Sequence, residues 1–199
     1  MKPLFFQKGM VWIMDNMIGK QLTSFCVQGY RQGNLVTVTN NDLWGKWNIL
    51  FFYPADFTFV CPTELGDMED HYSDFQKEGC EIYSVSTDSE YVHKAWADAS
   101  DTIRRIRYTM LSDHSWILSE AFGVLVSGQA LRATFIIDPK GMIRSYEVND
   151  MGIGRSAAEI LRKLQAAKFV AEHGDQVCPA NWKPGDETLK PSLDLVGKL

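Results

Sequence analysis

Residues 48–65 read NILFFYPADFTFVCPTEL, and the fold is decided there. Asn48 to Tyr53 is a continuous apolar run of strand length, as expected for a strand covered on both faces of a sheet. Pro54 ends it, since proline cannot continue a central strand. A loop with Phe57 and Phe59 follows. From Pro62 to Gly79, the residues Leu65, Met68, Tyr72 and Phe75 recur at helical spacing, and Gly79 supplies the stop. The segment therefore reads as buried strand, loop and helix, with Cys61 at the mouth of the helix.

Outward from this unit, strand and helix signals alternate. Asn34 to Thr39 alternates polar and apolar and predicts a half-exposed strand, and Glu81 to Thr87 predicts another. Asp88 is the expected N-cap of a helix whose inner face is Val92, Ala95, Trp96 and Ala99. Tyr108 to Ser112 reads as a short strand and Ser115 to Phe122 as a short helix. Ala133–Ile137 and Met142–Val148 flank the turn Asp138-Pro139-Lys140-Gly141, a β-hairpin. Ser156 and Glu159 form a capping-box pattern opening a helix with Ile160, Leu161, Leu164 and Ala167 inside and its end at His173-Gly174. Beyond it, Pro179, Pro184, Gly185 and Pro191 mark an arm. The order implies an α/β domain with a central mixed sheet flanked by helices. The expected division is an N-terminal extension over 1–21, the domain over 22–174 and a C-terminal arm over 175–199.

Composition narrows the function. The chain has 199 residues, of which 45% are apolar, enough for a core and too many for disorder. Twenty basic residues against 25 acidic ones, a net charge of −5, argue against a nucleic-acid or anionic-membrane binder. No apolar run approaches the ~20 residues of a membrane-spanning helix. The apolar residues near the start are broken by Gln7, Lys8 and Gly9, so no signal peptide is read and the cytoplasm is the expected compartment. Cys26, Cys61, Cys80 and Cys178 contain no CxxC pair, which sets aside structural zinc and a dithiol motif of that kind. His71, His93, His114 and His173 have no metal-ligand spacing. Gly152-x-Gly154-x-x-Ala157 matches a dinucleotide fingerprint, but no parallel strand follows its helix, so no nucleotide site is read.

Cys61 carries the chemical signal. The first-turn N–H groups of a helix lack intrahelical partners and the dipole is positive there, which favours a thiolate. Thr58, three residues earlier, can place a hydroxyl near the sulfur. Glu64, three residues later, sits at a capping position, and Pro54 can exclude water without offering an N–H. A small buried cysteine at a helix start fits the same residues, and they leave the two readings open. Cys80 reads as a core thiol, Cys26 as a part-buried spectator, and Arg104, Arg105 and Arg107 as a solvated basic face.

YPADFTFVCPTEL at 53–65 resembles the active-site segment of the typical two-cysteine peroxiredoxins, and within them the bacterial alkyl hydroperoxide reductase C branch. VSTDS at 85–89, HKAW at 93–96, LRATFIIDPKG at 131–141, the run from Gly152 to Leu189 and the closing SLDLVGKL are similar in order and spacing. The resemblance implies a thioredoxin-like fold and a thiol-dependent peroxidase acting on hydrogen peroxide and organic hydroperoxides, with no metal, haem or flavin of its own. It implies that Cys61 is the peroxidatic cysteine, with Thr58 and Pro54 as its shell and Glu64 as a supporting carboxylate. Arg132 matches the arginine that pairs with the thiolate and the peroxide oxygens, and Cys178 the resolving cysteine. A Cys61–Cys178 disulfide would be recycled by a flavoprotein disulfide reductase, with thioredoxin as the alternative. A homodimer, assembled by fives into a decamer, and local unwinding of the active-site helix are also implied. The rival is a chaperone or redox-signalling scaffold on the same fold, for which the set Pro54, Thr58, Cys61, Arg132 and Cys178 has no purpose.

Overall fold

The computed structural model describes residues 4–5, 10–11 and 16–198. Most of the N-terminal extension expected over 1–21, and Leu199 of the closing motif, lie outside the described residues. Contacts divide the chain into one unit over Met1–Arg155 and a second over Ser156–Leu199.

The first unit is built on a mixed seven-stranded sheet. Its strands are β1 (Cys26–Arg31), β2 (Asn34–Thr39), β3 (Trp47–Phe52), β4 (Cys80–Ser86), β5 (Thr109–Ser112), β6 (Arg132–Ile137) and β7 (Ile143–Asn149). Across the sheet they run β7-β6-β3-β4-β5-β1-β2. β3, β4 and β5 are parallel, as their helical crossovers require, and every other pairing is antiparallel. β3 is buried at every position, which explains its unbroken apolar run. β2 is an edge strand and keeps the alternating pattern of a half-exposed one.

Helices α1 (Cys61–Asp70), α2 (Tyr72–Lys77), α3 (Glu90–Ala99), α4 (Asp101–Arg104) and α5 (Ile117–Ala121) lie in the connections. The β6–β7 hairpin forms as read. Asp138 Oδ1 accepts from the Lys140 and Met142 N–H groups, and Gly141 takes the positive φ of 73° that the turn needs. Phe52, Phe122 and Phe135 meet in the core with ring centroids 4.6–5.7 Å apart.

Three local readings change. The single helix expected from Pro62 to Gly79 is two, because the chain breaks at His71, whose ring nitrogen competes with helix N–H groups for the Asp67 carbonyl at 3.0 Å. α3 is capped by Ser89, whose hydroxyl accepts from the Val92 N–H. Asp88 is used elsewhere, accepting from the Asp56 N–H and the Ser86 hydroxyl. The buried face of α3 is His93, Trp96 and Ala97, while Ala95 and Ala99 are exposed. A rotation that buries a histidine is affordable only because the ring is paired, as shown below. The arginine cluster is solvent-exposed as read, and within it Arg105 pairs with Asp70 and donates to the Gly66 carbonyl, while Arg107 pairs with buried Glu69.

The second unit consists of α6 (Ala157–Glu172) and the arm. Ser156 caps α6 by accepting from the Glu159 N–H. The other half of the expected capping box is absent, because the Glu159 carboxylate pairs with Arg162. The arm folds back on its own helix. Trp182 packs on Phe169 at 5.0 Å, Phe169 stacks on His173 at 4.1 Å, and Arg162 donates to the Trp182 carbonyl. A Val177–Leu189 bridge closes the loop that contains Cys178.

The aromatic trio sets much of the core's stability. Phe135→Ala should lower the unfolding free energy by about 3–5 kcal/mol, read as a shifted urea midpoint at unchanged slope.

Candidate active site

Strand β3 delivers the chain to Pro54, which is buried, and α1 begins at Cys61. Val60 is the N-cap and makes no side-chain cap hydrogen bond, so the first turn of α1 starts without that support. Pro62 takes an early helical position, where its missing N–H costs nothing. The Cys61 side chain is fully buried. Farther along, α1 is well held. Its Leu65 carbonyl accepts from the Tyr108 hydroxyl at 2.8 Å, and the Arg105 and Arg107 pairs hold Gly66, Glu69 and Asp70.

Of the side chains expected to act together, Arg132, Cys61 and Glu64 meet at α1. Arg132, the first residue of β6, directs Nη1 to Cys61 Sγ at 3.3 Å and to Glu64 Oε2 at 2.7 Å. Its Nε donates to the Met151 carbonyl at 2.7 Å, which fixes the plane of the guanidinium. Burial works against the Arg132 charge, yet the Cys61 and Glu64 partners outweigh it and hold its pKa above the ordinary arginine value.

Glu64 does not cap α1. It lies in the fourth helical position, and its carboxylate is clasped from two sides. Arg155 donates to Glu64 Oε1 from its backbone N–H at 2.9 Å and from Nε at 2.8 Å, and to Oε2 from Nη2 at 3.1 Å. Its Nη1 reaches the Ala133 carbonyl at 2.7 Å, and the guanidinium lies 3.5 Å above the Phe51 ring centroid. Burial pulls the Arg155 pKa down, and Glu64 restores part of it. Arg155 was missed from sequence. A signal existed: a positive charge just before a helix N-cap opposes the dipole and calls for an acidic partner.

Thr58 is half-buried, and its hydroxyl donates to the Ala55 carbonyl at 2.9 Å, which tightens the loop before Cys61. Gly154 of the fingerprint-like segment lies beside Val60 and Glu64 as part of the setting of α1. Cys80 is buried as expected, and Cys26 is more exposed than expected.

In the second unit, Cys178 is half-buried and its sulfur lies 3.9 Å from the Ala166 carbonyl. Burial pushes the Cys178 thiol up, and the Arg162 charge offsets part of that.

A buried carboxylate between two guanidinium groups is costly to open. Glu64→Ala strands two buried cations and should lower stability by about 3–5 kcal/mol, measured by urea unfolding under reducing conditions. Cys61→Ser should cost far less.

The AhpC/TSA family profile matches residues 18–146, and that of the C-terminal domain of 1-Cys peroxiredoxin matches residues 166–199. Alkyl hydroperoxide reductase C of Salmonella typhimurium is 50% identical over 186 residues, covering 92% of this chain and 100% of the relative. The Bacillus subtilis protein of the same name is 48% identical over the same shares. Among solved structures, Enterococcus faecalis AhpC superposes with a TM-score of 0.81 at 57% identity, covering 83% of this chain and 100% of the other. The reduced 2-Cys peroxiredoxin of Plasmodium vivax gives a TM-score of 0.86 at 34% identity, covering 90% and 96%. The chain belongs to the AhpC/TSA family, and it is a thiol-dependent peroxidase of the alkyl hydroperoxide reductase C type on a thioredoxin-like α/β fold.

Proposed function

We propose that Cys61 is the peroxidatic nucleophile of this peroxidase and Cys178 its resolving cysteine. The observation that carries the reading is the 3.3 Å hydrogen bond from Arg132 Nη1 to the buried Cys61 sulfur. The Arg132 guanidinium sets a positive charge directly against the sulfur that attacks.

The sulfur attacks one oxygen of a hydroperoxide, the O–O bond breaks, and the other oxygen leaves as an alkoxide that takes a proton to become the alcohol, or water. Negative charge moves from sulfur to the leaving oxygen, and Arg132, held by Met151 and Glu64, can follow it without reorganising. Thr58 and Pro54 line the approach. Glu64 is a positioning residue that acts through Arg132. The Cys61 sulfenic acid then condenses with the Cys178 thiol, forming the disulfide and releasing water. An external dithiol returns two electrons and two protons by exchange.

The Glu64 clasp and the ties on α1 beyond it, together with its weakly capped start, support unwinding confined to the residues ahead of Glu64. Residues 175–199 serve as the arm that brings Cys178 to the sulfenic acid. Hydrogen peroxide and small organic hydroperoxides are the substrates, and a flavoprotein disulfide reductase is the reductant, with thioredoxin as the alternative. The exposed large apolar side chains Phe57, Tyr91, Trp116, Ile117 and Val126 support self-association into homodimers and a decamer of five of them. Among the described residues no helix is long and apolar enough to cross a membrane, and free thiols of this kind suit the reducing cytoplasm, where we place the protein.

Peroxide consumption with a recycling dithiol tests the assignment. Cys61→Ser should abolish turnover. Cys178→Ser should consume one peroxide per subunit and then stop. Full activity of Cys61→Ser would overturn the mechanism. On a non-reducing gel, oxidised protein should run as a dimer that either substitution removes.

A further inference from the structure

His93 is a fully buried titratable group that the mechanism above leaves unused. It lies on α3 with no solvent exposure, and its Nδ1 sits 2.7 Å from Asp56 Oδ2, whose side chain is also fully buried. Its Nε2 sits 3.2 Å from the Leu111 carbonyl on β5. Both ring nitrogens thus face acceptors, and only the imidazolium satisfies both. Asp56 is saturated in turn. Its Oδ1 accepts from the Tyr53 hydroxyl at 2.7 Å, and its backbone N–H donates to Asp88 at 2.8 Å.

This network lies outside the Cys61–Arg132–Glu64–Arg155 cluster and grips the other end of the same loop. Phe57, next to Asp56, holds a left-handed φ of 56°, unusual for a bulky residue and kept only where its surroundings enforce it. Its ring packs on Trp96 at 5.9 Å, one helical turn from His93, and Trp96 packs on Tyr53 at 6.3 Å. Thr58 follows directly. A buried ion pair is a poor route to stability alone, so its place beside a strained loop points to positioning.

We propose that His93 is a positioning residue for the peroxide-reducing step: through Asp56 it holds residues 53–58 in the conformation that presents Pro54 and Thr58 to the peroxide. The proposal rests on the assignment of Cys61 as the peroxidatic cysteine. The charged and titratable groups facing the ring are Asp56 and Asp88, with Tyr53 behind Asp56 and the Leu111 carbonyl opposite. Burial opposes the imidazolium, and the Asp56 carboxylate together with the Leu111 carbonyl overcomes it and raises the His93 pKa. The sign follows. The loop is fully held below the ordinary histidine range, and the hold weakens as pH rises through the raised value.

The test measures two rate constants on reduced full-length protein: oxidation of Cys61 by hydrogen peroxide in a single turnover, and alkylation of Cys61 by iodoacetamide, which needs no hydroxyl from Thr58. In His93→Gln and Asp56→Asn the peroxide rate should fall by about 10- to 100-fold, the scale of a misplaced catalytic group. The alkylation rate should stay within about 2-fold, since no new charge reaches the sulfur. Tyr53→Phe, which keeps the ring packing and deletes one donor to Asp56, should give a smaller loss in the same direction. The alkaline fall of the wild-type peroxide rate should move to lower pH in Asp56→Asn. Wild-type peroxide rates in His93→Gln, or equal losses of both rates in all three variants, would overturn the proposal. A peroxide reaction that survives Cys61→Ser would instead overturn the assignment beneath it.

Discussion

The carboxylate of Glu64, clasped by Arg132 and Arg155, is the interaction on which the rest of the site depends. It joins three segments: the first turn of α1, the start of β6 and the residues ahead of α6. All three side chains are almost wholly buried, so the pairing gains little net stability over an apolar cluster, yet opening it leaves charges stranded. Such a contact fixes positions. Arg132 is held from behind by the Met151 carbonyl and from the side by Glu64, and its remaining direction is the Cys61 sulfur. The guanidinium is thus fixed against the sulfur by contacts within the protein, and a group held this way needs little reorganisation to meet a change of charge.

The loop between β3 and α1 is thus anchored at both ends by buried charge. At the α1 end the anchors are Arg132 and Arg155 through Glu64. At the strand end His93 reaches Asp56, and Tyr53 completes the network. Between them the chain accommodates a left-handed phenylalanine and a threonine whose hydroxyl closes back on Ala55. The second unit follows another logic. Cys178 sits in a short loop held by Trp182, Phe169 and Arg162 through contacts within that unit alone.

Local physics made much of this legible. The unbroken apolar run of β3 and the turn chemistry of Asp138 to Gly141 were readable because their causes lie within a few residues. The cysteine at a helix mouth was visible for the same reason, and the family resemblance then added Arg132 and Cys178. Where the reading slipped, a distant partner had changed the local preference. The face of α3 was misplaced because a histidine counts as polar until Asp56, 37 residues away, neutralises it. Asp88 looked like a cap but serves the Asp56 N–H.

By itself, the sequence determined the α/β order, the buried strand, the hairpin, the helix that opens at Cys61 and, through resemblance, the family. Those features follow from periodicity, turn propensity and capping, which act over one or two helical turns. Only the tertiary structure decided that Glu64 is a clasped anion instead of a cap, that Arg155 completes the site, and that His93 belongs inside. Arg155 and Glu64 are 91 residues apart, and charge pairing in a low-dielectric interior depends on where the chain is brought together, which no local pattern records.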